Sequence, residues 1–289
     1  MNVNLENEFL RVNVNSHGAE LTSVVNKQTG KEYMWQANPE HWKRHAPILF
    51  PNVGKYKEGH YFYNGVEYKQ GQHGFARDME FNLIEKTNDS CLFELEYTKE
   101  TLMVYPFKFR LRLGYVLKEK DLALTYYVEN LDDKKMYFQI GGHPAFNVPF
   151  AGGKRSDYYF YFPGKNELIS SKVGALGLAT EEKLHYRLDN SYLKIADDLF
   201  KNDALVIENQ GIRDVIIANE KHENILAVTM DVDVFGLWSA SEKSPFVCIE
   251  PWYGRCDAEN FTGEIDKREY ENELNSKETF KREYKLHIF

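Results

Sequence analysis

Residues 107–113 read Phe-Lys-Phe-Arg-Leu-Arg-Leu, a strict alternation of apolar and cationic side chains. Successive side chains of a strand point to opposite faces, so Phe107, Phe109, Leu111 and Leu113 face a core while Lys108, Arg110 and Arg112 face water. One buried face and one wet face is the pattern of an antiparallel sheet. Working outward, strand-like runs flank this one at 81–85, 91–97, 122–131 and 136–140. Others follow at 158–162, 204–208, 215–219, 225–231, 234–240 and 246–249. Tyr284, Leu286 and Ile288 alternate as a final strand, and 9–15, 18–21 and 33–35 supply short ones near the start. Asn64-Gly65 between two aromatic runs at 61–68 is a hairpin with the preferred type I′ turn sequence.

Helix signals are weak. Asn38 is placed to cap one short turn, and 261–273 reads as a short helix or a loop. Residues 165–203 read as a polar, loop-like stretch with some strand character at 192–195. No window of helical length has an apolar stripe capped at both ends, and there is no repeat or linker-like composition. Roughly twenty short strands predict an all-β fold, a large antiparallel β-sandwich forming a single domain over 1–289. The one place for a division would be near 165–185.

Composition excludes several classes of function. A formal net charge of −8 argues against nucleic acid as a partner. No run approaches the ~18–20 apolar residues of a membrane span, and the first residues lack a signal-peptide pattern. Cys91, Cys248 and Cys256 form no CxxC and no even-numbered disulfide framework, so a reducing, cytoplasmic setting is expected. The chain is compatible with a monomer or a homodimer.

Four stretches combine a constrained backbone with reactive side chains: 44–55 (RHAPILFPNVGK), 73–77 (HGFAR), 142–147 (GHPAFN) and 249–254 (IEPWYG). Asp203, before an apolar strand, is a fifth and simpler case. His143 sits between two glycines and Pro144 at the end of a strand, which would hold one imidazole still. A β-corner with an incidental histidine is the alternative. Glu250 lies where an apolar run meets Pro251, and a carboxylate in such a place has a raised pKa and can act as a base. A strand-end salt bridge is the plainer reading. His73, Arg77 and Arg44 are each either ligand contacts or ordinary surface groups. Trp35, Trp42, Trp238 and Trp252 either stack on a sugar ring or fill the core. No HxH, HExxH or paired cysteines support a metal site.

Taken in order, RHAPILFPNVG, QHGFARD, GGHPAFNVP, NDAL, FGLWS and PFVCIEPWYG resemble the aldose 1-epimerase (galactose mutarotase-like) family, and within it the bacterial LacX-like branch. The resemblance runs over essentially the whole chain. It implies a β-supersandwich with a sugar in an open cleft, and interconversion of the α and β anomers of a hexose. It implies Glu250 as general base at the C1 hydroxyl and His143 as general acid at the ring oxygen, with His73, Arg44 and Asp203 holding the sugar. No metal and no cofactor are implied. Three other readings stay open: a non-catalytic sugar-binding or sensing module, a hexose-6-phosphate 1-epimerase, and a glycoside hydrolase. The second would need basic residues, for which Lys55, Arg77 and Arg255 are candidates. The third would need Asp203 opposite Glu250.

Overall fold

In the computed structural model, which covers residues 1–289, the alternation at 107–113 is realised as predicted. Phe107, Phe109, Leu111 and Leu113 are all buried. On the opposite face Arg110 donates to Glu96 at 2.7 Å and Glu129 at 2.9 Å, and Arg112 donates to Glu94 at 2.7 Å. These cross-strand ion pairs cover the wet face of the strand Phe109–Lys118.

Two large antiparallel sheets pack face to face. The nine-stranded one runs Tyr192–Lys194, Tyr159–Tyr161, Asp214–Ala218, Asn224–Met230, Thr279–Ile288, Asp121–Asn130, Phe109–Lys118, Ser90–Glu96, Asn82–Lys86. The eight-stranded one runs Ala179–Arg187, Glu167–Val173, Leu205–Glu208, Val234–Trp238, Phe246–Tyr253, Ile140–Gly142, Ile48–Leu49, with Ala145–Asn147 also paired to Phe246–Tyr253. The inner faces share one cluster of 59 buried apolar residues. A three-stranded sheet at the N-terminus, the hairpin His60–Tyr63 with Val66–Lys69, and the long-range pair Met136–Phe138 with Asn272–Leu274 complete the fold. In the Asn64-Gly65 hairpin both central residues have positive φ, +51° and +73°, as a type I′ turn requires.

Several expectations are corrected. Residues 165–203 are not a loop: Glu167–Val173 and Ala179–Arg187 form a paired hairpin at the edge of the eight-stranded sheet. The second strand is largely exposed, so it lacks the apolar alternation that sequence reading relies on. One short helix exists, Lys99–Val104, fixed by reciprocal capping between Thr98 and Thr101. The stretch 261–273 holds a 3₁₀ turn at Ile265–Lys267 and the start of the strand Asn272–Leu274. No helix is long and apolar enough to cross a membrane. The three cysteines are free and buried.

The segment leaving Phe246–Tyr253 is tied down by buried charge. The Arg268 guanidinium donates to Asp257 at 2.6 Å and Glu271 at 2.9 Å, and lies 4.1 Å from the Tyr56 ring. Asp257 in turn accepts the Lys57 N–H at 2.8 Å, which links the loop after Gly54 to the loop after Gly254. Removing one member of such a cluster strands the others as unpaired buried charges. Arg268→Ala is therefore expected to lose about 3–5 kcal/mol of folding free energy. Chemical denaturation monitored by tryptophan fluorescence checks this; a loss under about 1 kcal/mol would mean the cluster is solvated like a surface pair.

Candidate active site

The strand Phe246–Tyr253 divides its side chains by parity. Val247, Ile249 and Tyr253 enter the main core. Phe246, Cys248 and Trp252 join separate clusters on the other side of the sheet, and Glu250 shares that side by the period of two. Glu250 is thus in the middle of a strand, not at its end as the sequence suggested, and it is 1% exposed.

Its partner comes from the segment 140–147. Gly141 pairs with Trp252, and Ala145 pairs with Cys248. Continuing either ladder one residue at a time sets His143 directly opposite Glu250. Pro144 and Pro251 flank this position and lack the N–H a ladder needs, which is why pairing breaks around the two residues. The Ile249 N–H still donates to the Pro144 carbonyl at 3.3 Å, and the His143 N–H to the Pro47 carbonyl at 3.1 Å. The side chains meet with His143 Nε2 at 3.2 Å from Glu250 Oε2.

Both groups are nearly dry. His143 is 7% exposed, stacked on Trp42 (4.8 Å between centroids, 30°) and edge-on to Trp238 (5.4 Å, 89°). Burial, reinforced by the Asp203 carboxylate, pushes Glu250 well above the usual carboxylate range. Burial also pushes His143 down to about 3, and the Arg77 and Arg44 charges act in the same direction. Burial therefore favours a neutral pair, with one proton on the carboxyl and a free imidazole. The ion pair is the costlier arrangement.

The pair lies at the floor of a cleft of about 620 Å³, within the usual range of small-ligand sites. His73 is in the wall, at φ +65°, its ring edge-on to His143 at 5.6 Å. The Gly54 N–H donates to His73 Nδ1 at 3.1 Å. The neutral ring then carries its proton on Nε2 and can donate to a ligand; Gln72 Nε2 lies 3.2 Å from it, and since two donors do not bond, the Gln72 amide pairs with the ring only when turned over to present its oxygen. Burial keeps His73 well below the ordinary imidazole value, with His143 and the neighbouring cations adding to it.

Asp203 also lines the cleft, exposed and at φ +72°, accepting the Ala204 N–H at 2.7 Å. Arg44 does not line it: the guanidinium is engaged with Asp78 at 2.8 Å. Arg77 takes the wall position instead, donating to the Gln72 carbonyl at 2.7 Å while its buried Nε has no hydrogen-bond partner and lies 3.7 Å from the Asp78 carboxylate. Lys55 lines the same wall, whereas Arg255 is paired with Glu208 and Glu269 away from it. Trp42, Trp238 and Trp252 border the cleft, and Trp35 lies behind Trp42. Sequence reasoning missed Gln72, Phe200 and Cys248. Phe200 lay in a stretch read as loop; its wall is held by Arg155, which donates to Ser239, Ser241 and Asp197.

His143, Cys248 and Glu250 offer ligand atoms within 4.8 Å of one another. A second recess, of about 480 Å³, lies between Tyr33, Phe150 and Asn224. Its polar groups are satisfied locally: Asn26 accepts from Gln28 and Thr29, and Asp157 from Lys154.

Comparison with known proteins gives a consistent result. The family model for aldose 1-epimerase matches residues 1–267. Two LacX proteins of Lactococcus lactis subsp. lactis, plasmid and chromosomal, are each 35% identical over 268 residues, covering 88% of this chain and 88% of theirs. A galactose mutarotase related enzyme from Lactobacillus acidophilus superposes with a TM-score of 0.94 at 36% identity, covering 100% of this chain and 97% of its own. A galactose mutarotase-like protein from Lactobacillus casei gives 0.90 at 28% identity, covering 100% of both. The two-sheet sandwich is thus the galactose mutarotase-like fold, and the chain belongs to the aldose 1-epimerase family.

Proposed function

We propose that this chain, working as a single domain, is an aldose 1-epimerase that interconverts the α and β anomers of a hexose by general acid–base catalysis. The observation that carries this reading is the buried contact of His143 with Glu250 at 3.2 Å on the floor of a sugar-sized cleft. Anomerisation takes a proton from O1 and delivers one to the ring oxygen. Both oxygens are bonded to C1, so the two protein groups must be near neighbours. Glu250 takes the O1 proton and His143 protonates the ring oxygen; the C1–O5 bond breaks, the aldehyde turns about C1–C2, and closure on the other face reverses both transfers. His73 Nε2–H and Arg77 donate to hydroxyls, Asp203 accepts at the mouth, and Arg44 acts through Asp78 and Arg77.

Burial favours the neutral pair, whereas ring opening begins from carboxylate and imidazolium. His143 Nε2 and Glu250 Oε2 lie 3.2 Å apart without a formed hydrogen bond; alignment of the two when the sugar arrives lets the proton pass from Glu250 to His143, and binding offsets the cost of that transfer. A phosphorylated hexose is a second candidate substrate, favoured by Lys55 and Arg77 on one wall. A non-catalytic sugar-binding module would need the aromatic wall but not the acid–base pair. A glycoside hydrolase would use Asp203, which lines the same cleft, as the second carboxyl; the imidazole in contact with Glu250 is the group that anomerisation needs and glycoside hydrolysis does not.

Polarimetry tests this on fresh α-glucose, α-galactose and their 6-phosphates. The protein is expected to accelerate mutarotation of at least one of them, and Glu250→Gln to lower kcat by about 10²–10⁴. Binding without acceleration would leave the sensing module standing. The pH profile is a further test. The competent pair carries one proton, so it is lost by gaining a second below about 3, the His143 value, and by losing the last above the raised Glu250 value. The kcat/KM profile is therefore expected to fall below about 3 and again above the raised Glu250 value, with no acid limb in the ordinary imidazole range. Activity lost as pH falls through the ordinary histidine value, about 6.5, would count against it.

A further inference from the structure

Trp252 follows Glu250 by two residues, so the indole and the carboxylate leave the strand on the same face. The ring lies flat across the sheet rather than standing away from it. A Cβ built at Gly141, on one neighbouring strand, would come within 2.8 Å of Trp252 Cδ1. A Cβ built at Gly236, on the other, would come within 2.6 Å of Cζ2 and Cη2. Gly236 is the register partner of Glu250. The indole is thus bedded on two glycines, and its Nε1 edge reaches toward the position of Glu250. This Nε1 is buried and has no hydrogen-bond partner. The one acidic group it acts on is Glu250, which it draws down against the effect of burial. Hydrogen bonds of this kind are often long or misaligned in an empty site and tighten when substrate binds.

We infer that Trp252 is a positioning residue, held by Gly141 and Gly236 so that its indole N–H donates to the Glu250 carboxylate and stabilises the ionised form that accepts the sugar proton. This rests on the proposed role of Glu250. The other charged or titratable groups facing that carboxylate are His143 across the register, Asp203 from the cleft mouth and Cys248 from its own strand. Arg77 and Arg44 act on the histidine side. Of these, His143 is the proton partner, and Asp203 and Cys248 offer no compensating positive charge. The indole N–H is the one fixed donor dedicated to the anion.

The test is Trp252→Phe, which keeps an aromatic ring on the glycine bed and removes the donor. Without the donor the Glu250 proton is held more tightly. The alkaline limb of the kcat profile is then expected to move up by about one pH unit, the size of one charge-assisted hydrogen bond. kcat in the plateau should fall about tenfold with KM unchanged. A purely packing role would lower thermal stability or raise KM and leave the limb in place, which would overturn the inference. A second measurement does not depend on that variant folding, or on turnover. In ¹⁵N-tryptophan-labelled wild type, the indole N–H resonance left after assigning Trp35, Trp42 and Trp238 through their Phe variants should shift as the Glu250 pair titrates. In Glu250→Gln it should stay fixed. A resonance that does not move in the wild type would also overturn the inference, whatever the fate of the epimerase reading.

Discussion

The site depends on one register. The segment 140–147 and the strand Phe246–Tyr253 pair in the same register on both sides of a gap, and the gap contains His143 and Glu250. A slip of one residue would turn Glu250 into the apolar core and bring Ile249 or Pro251 to the cleft, since side chains alternate with a period of two. The register is guarded from both faces. Val247, Ile249 and Tyr253 enter the main core, and Cys248 and Trp252 fit smaller clusters outside it. The two prolines leave the ladder open where the pair must be free of competing backbone hydrogen bonds.

Low dielectric around the pair makes its protonation a matter of enclosure. Trp42 stacks on the imidazole, Trp238 stands edge-on to it, and Phe246 backs both. These rings exclude water from one side, while His73, Gln72 and Arg77 supply polar groups on the other. The cleft is therefore amphipathic across its width. A pyranose fits such a wall because its ring has an apolar C–H face and a hydroxylated edge. The same enclosure raises the carboxyl and lowers the imidazole, so the two pKa values are pushed apart by a single cause, the pattern expected where one proton must be exchanged between two groups.

The sandwich was legible because wet and dry faces alternate cleanly where a strand is half buried, as at 107–113. The hairpin 167–187 was not, since an edge strand with both faces largely in water carries no such alternation, and the short helix Lys99–Val104 is too brief to display a stripe. For the site, His143, His73, Glu250 and Asp203 could be singled out from constrained or apolar surroundings, and all four line the cleft. What local sequence could not give is that residues 143 and 250 are opposite one another, because strand register is a long-range property. Arg44 and Arg77 were equally plausible by type; Asp78 pairs with both, at 2.8 and 3.7 Å, and only Arg77 reaches the cleft wall. Gly141 reads from sequence as part of the constrained bend before His143, whereas Gly236 carries no such signal; the indole of Trp252 lies over both.

Of the ten buried side-chain polar atoms that lack a hydrogen-bond partner, four belong to residues lining this cleft. Arg77 Nε, His143 Nδ1, Glu250 Oε2 and Trp252 Nε1 are all buried without hydrogen-bond partners, and all four residues line it. Each such atom costs about 1–3 kcal/mol relative to a satisfied one. A sequence selected for stability alone would replace the group with apolar side chains of similar volume, as buried ion pairs can be replaced without loss. The fold instead carries that cost on a sheet whose other face belongs to the large shared core. The two faces of one strand thus have opposite assignments: the inward face supplies the stability that lets the outward face hold groups in an arrangement only a bound ligand completes.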